Sequence, residues 1–243
     1  MQAIAQLYQR AFALARRWPW LLLGAAAAEF VQHVVEIRIG LYAGATGAAT
    51  SGWRLGFGAV KVLAIFCTLL VAWRLWRFDG DSRRALTPSL LLLKGVAAFL
   101  LVQAAGELVS IGVGRGLVAL APTAPRPARI ALALAPLLLW LLASAALFPW
   151  YVGLATEDRG MTLRRALGAS RGHMPMTWGL ILAGFLPVMI VHYALGYAAV
   201  RGAPAWPIMI VDTAVVVGLT ATLAATYYTI YQRASERMPR PTG

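Results

Sequence analysis

The 243-residue chain is 60% hydrophobic and only 13% charged, with a mean hydropathy of +0.70 and a formal net charge of +13. A soluble domain of this length needs roughly a quarter of its residues charged to clothe its surface, so the composition excludes an ordinary water-soluble fold and makes lipid the solvent for much of the exterior. The positive charge falls in short clusters between apolar runs, without a basic stripe or a nucleic-acid module; it suits anionic lipid head groups and excludes nucleic acid as a partner.

In chain order, residues 1–17 predict an amphipathic interfacial helix. Ile4, Leu7, Tyr8, Ala11, Phe12 and Ala15 share one face, while Arg10, Arg16 and Arg17 lie elsewhere, suited to lipid phosphates. Trp18 and Trp20 mark the level at which the chain turns into the bilayer. Apolar runs at 18–42, 57–76, 90–113, 130–154, 178–200 and 207–231 each approach the ~20 residues that a spanning helix requires. The expected architecture is an all-α, polytopic transmembrane helical bundle of about six spans, forming a single integral membrane domain over 1–243. Arg16-Arg17 ahead of an apolar and alanine-rich run also fits a twin-arginine leader cut near Ala27 or Ala28. The apolar pattern continuing through Phe30, Val31, Val34, Val35 and Ile37 favours a span instead.

Between the spans, the glycine-rich stretch 44–58 reads as a flexible outer loop. Asp79-Gly80-Asp81 reads as a turn, with Ser82 or Thr87 capping the next segment. Pro136, Pro149 and Pro187 are expected to kink their helices. The only cysteine, Cys67, lies mid-span, so no internal disulfide is available. With the N-terminus inside, 15 of the 22 lysines and arginines fall on the inner side and 7 on the outer, which places both termini and the 232–243 tail in the cytoplasm. Arg83-Arg84-Ala85-Leu86 recurs as Arg164-Arg165-Ala166-Leu167, each just ahead of an odd-numbered span. The pattern suggests helical hairpins, each introduced by a basic segment.

Within the spans, Glu29, His33 and Glu36 stand at i, i+4 and i+7 and so share one helical face. An ionised side chain near the bilayer centre costs roughly 2.5–3.5 kcal/mol on insertion scales, so this face must point into the bundle or a wet cavity. Lys61, Gln103, Glu107, His192 and Asp212 add polar groups in other spans. Glu29, His33, Glu36, Lys61, Glu107, His192 and Asp212 are therefore the candidate binding residues, lining a periplasm-facing cavity formed by spans one, two, three, five and six. Lys61 has Glu107, Asp212 or Glu36 as candidate partners, whereas Glu29 has no obvious basic partner at its own depth. The same set also reads as interhelical ion pairs that fix the register of the bundle. Arg16, Arg17, Arg83, Arg84, Arg164, Arg165 and Arg171 are the candidate contacts to lipid phosphate.

Catalytic signatures do not emerge. The chain has three histidines and one cysteine, with no H-E-x-x-H pair, no nucleophile elbow and no phosphate-binding glycine loop. Neither a cofactor, a bound metal nor enzymatic activity is expected. Between spans four and five, Glu157-Asp158-Arg159-Gly160-Met161-Thr162 forms an acidic-glycine turn. An alanine-leucine-serine helix capped by Thr162 comes next, with Leu163, Ala166, Leu167 and Ser170 on one face. This 157–172 loop resembles that of the membrane domain accompanying some bacterial glycerophosphoryl diester phosphodiesterases, and of stand-alone YciC-like inner-membrane proteins. The resemblance implies a multi-pass protein of the bacterial cytoplasmic membrane. It implies no phosphodiesterase activity, which in the fused proteins belongs to a separate soluble domain. The expected function is binding or transport of a small or amphipathic solute, or of a lipid. The alternative is a non-catalytic structural or assembly factor that meets anionic lipid or a partner protein through its basic loops.

Overall fold

The computed structural model describes residues 2–238. The end of the expected tail, with Arg240, lies outside the described residues, as does the side chain of Arg126. The described residues form ten α-helices: α1 (Gln2–Arg17), α2 (Pro19–Arg38), α3 (Gly52–Arg77), α4 (Ser82–Leu86), α5 (Leu90–Leu120), α6 (Arg126–Ser144), α7 (Phe148–Ala155), α8 (Leu163–Ser170), α9 (Met174–Val200) and α10 (Ala205–Glu236). Helices α2, α3, α5, α9 and α10, together with the α6–α7 run Pro127–Ala155, are six segments long and apolar enough to cross a bilayer. The fold is an all-α polytopic helical bundle.

Local chemistry explains where the helices begin and end. Pro19 opens α2 in the first turn, where its missing N–H costs nothing. Gly40, at φ +73°, closes it by taking a left-handed conformation that few other residues tolerate. The span thus ends at Arg38, short of the expected residue 42. The expected outer loop 44–58 is also corrected: after a short 3₁₀ turn at Ala48–Thr50, α3 starts at Gly52. Glycine spacing there overstated the loop, because a long apolar helix absorbs isolated glycines at about 1 kcal/mol each. The Asp79-Gly80 turn forms with positive φ at both residues, but Asp81, not Ser82 or Thr87, caps α4 by accepting from the Arg84 N–H. Ser89 caps α5 and Thr162 caps α8 in the same way. Pro136 and Pro187 sit inside α6 and α9, while Pro149 opens α7 just after a 3₁₀ interruption at Ala145–Leu147.

The chain divides into two compact units, Met1–Thr87 with Gly179–Thr229 and Pro88–Trp178 with Ile230–Gly243. In the first, α10 supplies a buried face rich in Ala and Thr, with Thr220 and Thr226 returning their hydroxyls to carbonyls one turn back. Trp73 of α3 donates its indole N–H to the Ala224 carbonyl and lies beside Tyr227. Leu7, Ala11 and Leu14 form the buried stripe of α1; Leu7 borders Gly184, and the Tyr8 hydroxyl donates to the Ala183 carbonyl. Phe12, on the apolar face expected to meet the head-group boundary, is 70% exposed, and the stripe packed against the protein runs through Leu14 instead. Arg74 is buried and donates to the carbonyls of Ala85, Arg84 and Thr87, tying the end of α4 to α3.

In the second unit, small residues allow close helix approach. Gly106 faces the Trp140 ring, Gly114 faces the Ala133 carbonyl and Gly95 faces Leu154. Gln103 accepts from the Trp140 indole, and Tyr231 donates to Asp158. The two Arg-Arg-Ala-Leu segments fold alike, as short capped helices with the alanine buried and the arginines exposed. In α8, Ala166 and Ser170 turn inward, and the Ser170 hydroxyl donates to the Ala146 carbonyl; Leu163 and Leu167 stay exposed.

Candidate functional site

The 3.6-residue period of α2 brings Glu29, Gln32, His33 and Glu36 onto one buried face, with Glu29 wholly excluded from solvent. Opposite this face, α3 contributes Lys61 and, from its first turn, Arg54. Helix α9 contributes His192, Tyr193 and Tyr197, and α10 contributes Asp212. These side chains, with Tyr42 from the turn after α2, surround a cavity of about 330 Å³ within the first unit.

The geometry is a connected polar network. Lys61 Nζ lies 3.0 Å from Glu29 Oε2. His33 Nε2 lies 3.0 Å from both Glu29 Oε1 and Asp212 Oδ2, and its Nδ1 is 3.3 Å from Glu36 Oε2. His192 Nδ1 approaches Asp212 Oδ1 at 2.8 Å. Glu36 accepts from Arg54 Nε at 3.0 Å, from the Gln32 amide at 2.9 Å and from the Tyr42 hydroxyl. Burial pushes the Tyr42 phenol above its ordinary range, and the neighbouring Glu36 carboxylate pushes it further, so Tyr42 serves as a donor at any ordinary pH. Two features are not saturated. Both Glu29 oxygens and His33 Nε2 sit at ion-pair distance from their partners without the alignment of a hydrogen bond, and no donor from the described residues reaches Gln32 Oε1.

Six of the seven expected binding residues therefore meet: Glu29, His33, Glu36, Lys61, His192 and Asp212. Glu107 does not; it is exposed on α5 of the second unit. Span three accordingly contributes no lining residue, and spans one, two, five and six build the cavity. The expectation that Glu29 lacks a basic partner is also overturned, since a flexible four-carbon stem carries Lys61 Nζ to it. Gln32, Tyr42, Arg54, Tyr193 and Tyr197 are lining residues that hydropathy and charge did not single out. Gln32 carried a signal, because it stands three residues after Glu29 on the same face.

A metal ion has candidate donors here. Glu29, His192 and Asp212 can each direct one ligand atom into a region where all three atoms lie within 4.8 Å of one another. The expected phosphate-contact arginines Arg16, Arg17, Arg83, Arg84, Arg164, Arg165 and Arg171 are all exposed. Arg165 and Arg171 border a second cavity, of about 380 Å³, in the second unit, together with His173 and Arg237. The chain matches no family model, no curated protein and no solved structure.

Proposed function

We propose that the chain is a bacterial inner-membrane protein that binds a small polar or amphipathic solute in the cavity of the first unit and carries it across the bilayer. The carrying observation is the convergence of Glu29, His33, Glu36, Arg54, Lys61, His192 and Asp212 from four apolar helices, with Glu29 fully buried among them. Charged groups are rare in spans because each costs several kcal/mol to insert, and they concentrate where a solute pathway needs them. A purely structural network would saturate its own polar atoms; Gln32 Oε1 and a cavity roomy enough for a small solute support a binding role. The positive-inside bias orients the termini and the α4 and α8 loops to the cytoplasm and the cavity end of the first unit to the periplasm. The likeness of the 157–172 loop to YciC-like inner-membrane proteins fits the same compartment.

The test is a thermal-shift survey of the nanodisc-embedded protein against water-soluble amines, carboxylates and metal salts, followed by uptake into proteoliposomes. Saturable stabilisation by at least one solute, lost in His192→Ala, is the expected result. A complete absence of shifts, or shifts that survive this substitution intact, overturns the reading.

A second reading, an assembly factor that meets anionic lipid, draws on Arg165, Arg171 and Arg237 around the cavity of the second unit. Lipid co-purifying with the wild type, but not with an Arg165→Gln/Arg171→Gln variant, would favour it.

A further inference from the structure

We infer that the solute site is a metal site: Glu29, His33, His192 and Asp212 bind a divalent first-row transition metal ion. The inference rests on the proposed binding role of this cavity and names its ligand class. Two imidazoles and two carboxylates, drawn from α2, α9 and α10, form the donor set that such ions accept, whereas magnesium and calcium prefer oxygen alone.

The spacing fits the chemistry. Metal bonds of about 2.0–2.2 Å in a tetrahedral site put neighbouring donors about 3.3 Å apart. Here His33 Nε2 lies 3.0 Å from Glu29 Oε1 and 3.0 Å from Asp212 Oδ2, while His192 Nδ1 lies 2.8 Å from Asp212 Oδ1, so the two imidazoles approach the two oxygens of one carboxylate. Glu29, His192 and Asp212 also fit together within 4.8 Å. The independent observation is angular. His33 Nε2 and Glu29 Oε1 are fully buried and 3.0 Å apart, yet neither makes an aligned hydrogen bond within the described residues. Buried polar atoms left without an aligned partner retain capacity for a further ligand.

The surroundings are those of a held ligand set. Glu36 sits on the far nitrogen of His33 and is itself anchored by Tyr42, Gln32 and Arg54, which fixes the imidazole ring. Lys61 Nζ lies 3.0 Å from Glu29 Oε2, on the side of the carboxylate away from the His33 contact at Oε1. The charges of Glu29 and Asp212 match those of the ion, and Lys61 beside them weakens its retention, as suits an ion that must leave again.

The decisive measurement uses the untagged full-length protein in nanodiscs, stripped with a chelator and titrated with Co²⁺ while its visible absorption is followed, then challenged with Zn²⁺. Saturation at one Co²⁺ per chain, with the bands of a low-symmetry nitrogen–oxygen site and displacement by Zn²⁺, is expected. His192→Ala, at the partly exposed rim where folding is spared, should weaken Co²⁺ binding at least roughly tenfold, and His33→Gln should do the same. His173→Ala, which removes the one histidine outside the cavity, should leave binding unchanged. Failure of Co²⁺ and Zn²⁺ to bind, or binding that ignores the His192 and His33 substitutions, overturns the metal assignment. If an organic solute still gives a shift that depends on His192, the cavity reading stands without the metal; if nothing binds, both fall.

Discussion

Glu29 shows what a single side chain can and cannot disclose in advance. Its spacing with His33 and Glu36 was legible, because the helical period is fixed by backbone geometry and apolar surroundings forbid a charged face toward lipid. Its partner was not legible, since the reach of a flexible lysine is set by tertiary placement and not by sequence distance. Removing one member of a buried pair leaves the other charge uncompensated, so Glu29→Gln should destabilise the protein by about 3–5 kcal/mol. The double variant Glu29→Met/Lys61→Met should recover most of that loss, because apolar replacements remove the stranded charge as well. Fluorescence-monitored melting in nanodiscs reads both effects, and a double variant no more stable than the single one would refute the pairing. Tyr42 offers a pH signature. Its phenol holds its proton more tightly in the folded protein than the ordinary value of 10.0, through burial and then through Glu36. Its stabilisation is therefore complete below pH 10 and is lost as pH rises beyond it. The melting temperature of the wild type should fall more steeply above pH 10 than that of Tyr42→Phe, and parallel curves would contradict this.

Among the elements, the six apolar runs were readable from hydropathy, which depends only on composition over some twenty residues. Their ends were less so. Arg38 rather than residue 42 ends α2, and Gly52 rather than residue 57 begins α3, because a positive-φ glycine and a short 3₁₀ turn decide those points locally. The close approaches of α5 were invisible for a related reason: α5 holds many glycines, and only the fold distinguishes those that face a neighbour. A Cβ at Gly106 would run into the Trp140 ring, whereas Gly112 and Gly116 have open space. Gly106→Ala should therefore disturb the α5–α6 packing and lower the melting temperature, as overpacking by one methyl group typically costs about 1–3 kcal/mol. Gly112→Ala and Gly116→Ala should be neutral or slightly stabilising through helix propensity. Equal melting temperatures for all three variants would disprove the contact.

For the molecule as a whole, the all-α membrane architecture was legible from composition, but its division was not. The first unit is assembled from two distant stretches of chain, and hydropathy carries no record of which helices pair. Reporter fusions after Arg83 and Arg164 should give cytoplasmic activity and fusions at Ala45 and Ala203 periplasmic activity; the reverse pattern would invert the orientation and with it the direction of the cavity. The buried network also bears on how the chain is made. The first spanning helix is the least apolar of the six, and it meets the bilayer carrying Glu29, His33 and Glu36. Lys61 is translated soon afterwards and can neutralise Glu29 while the first hairpin inserts. Asp212 emerges about 180 residues later, a wait on the order of ten to forty seconds at ordinary ribosomal speeds. Through that interval His33 has no carboxylate from another helix, so the opening hairpin should linger beside the translocon or a membrane chaperone until the last segment is synthesised.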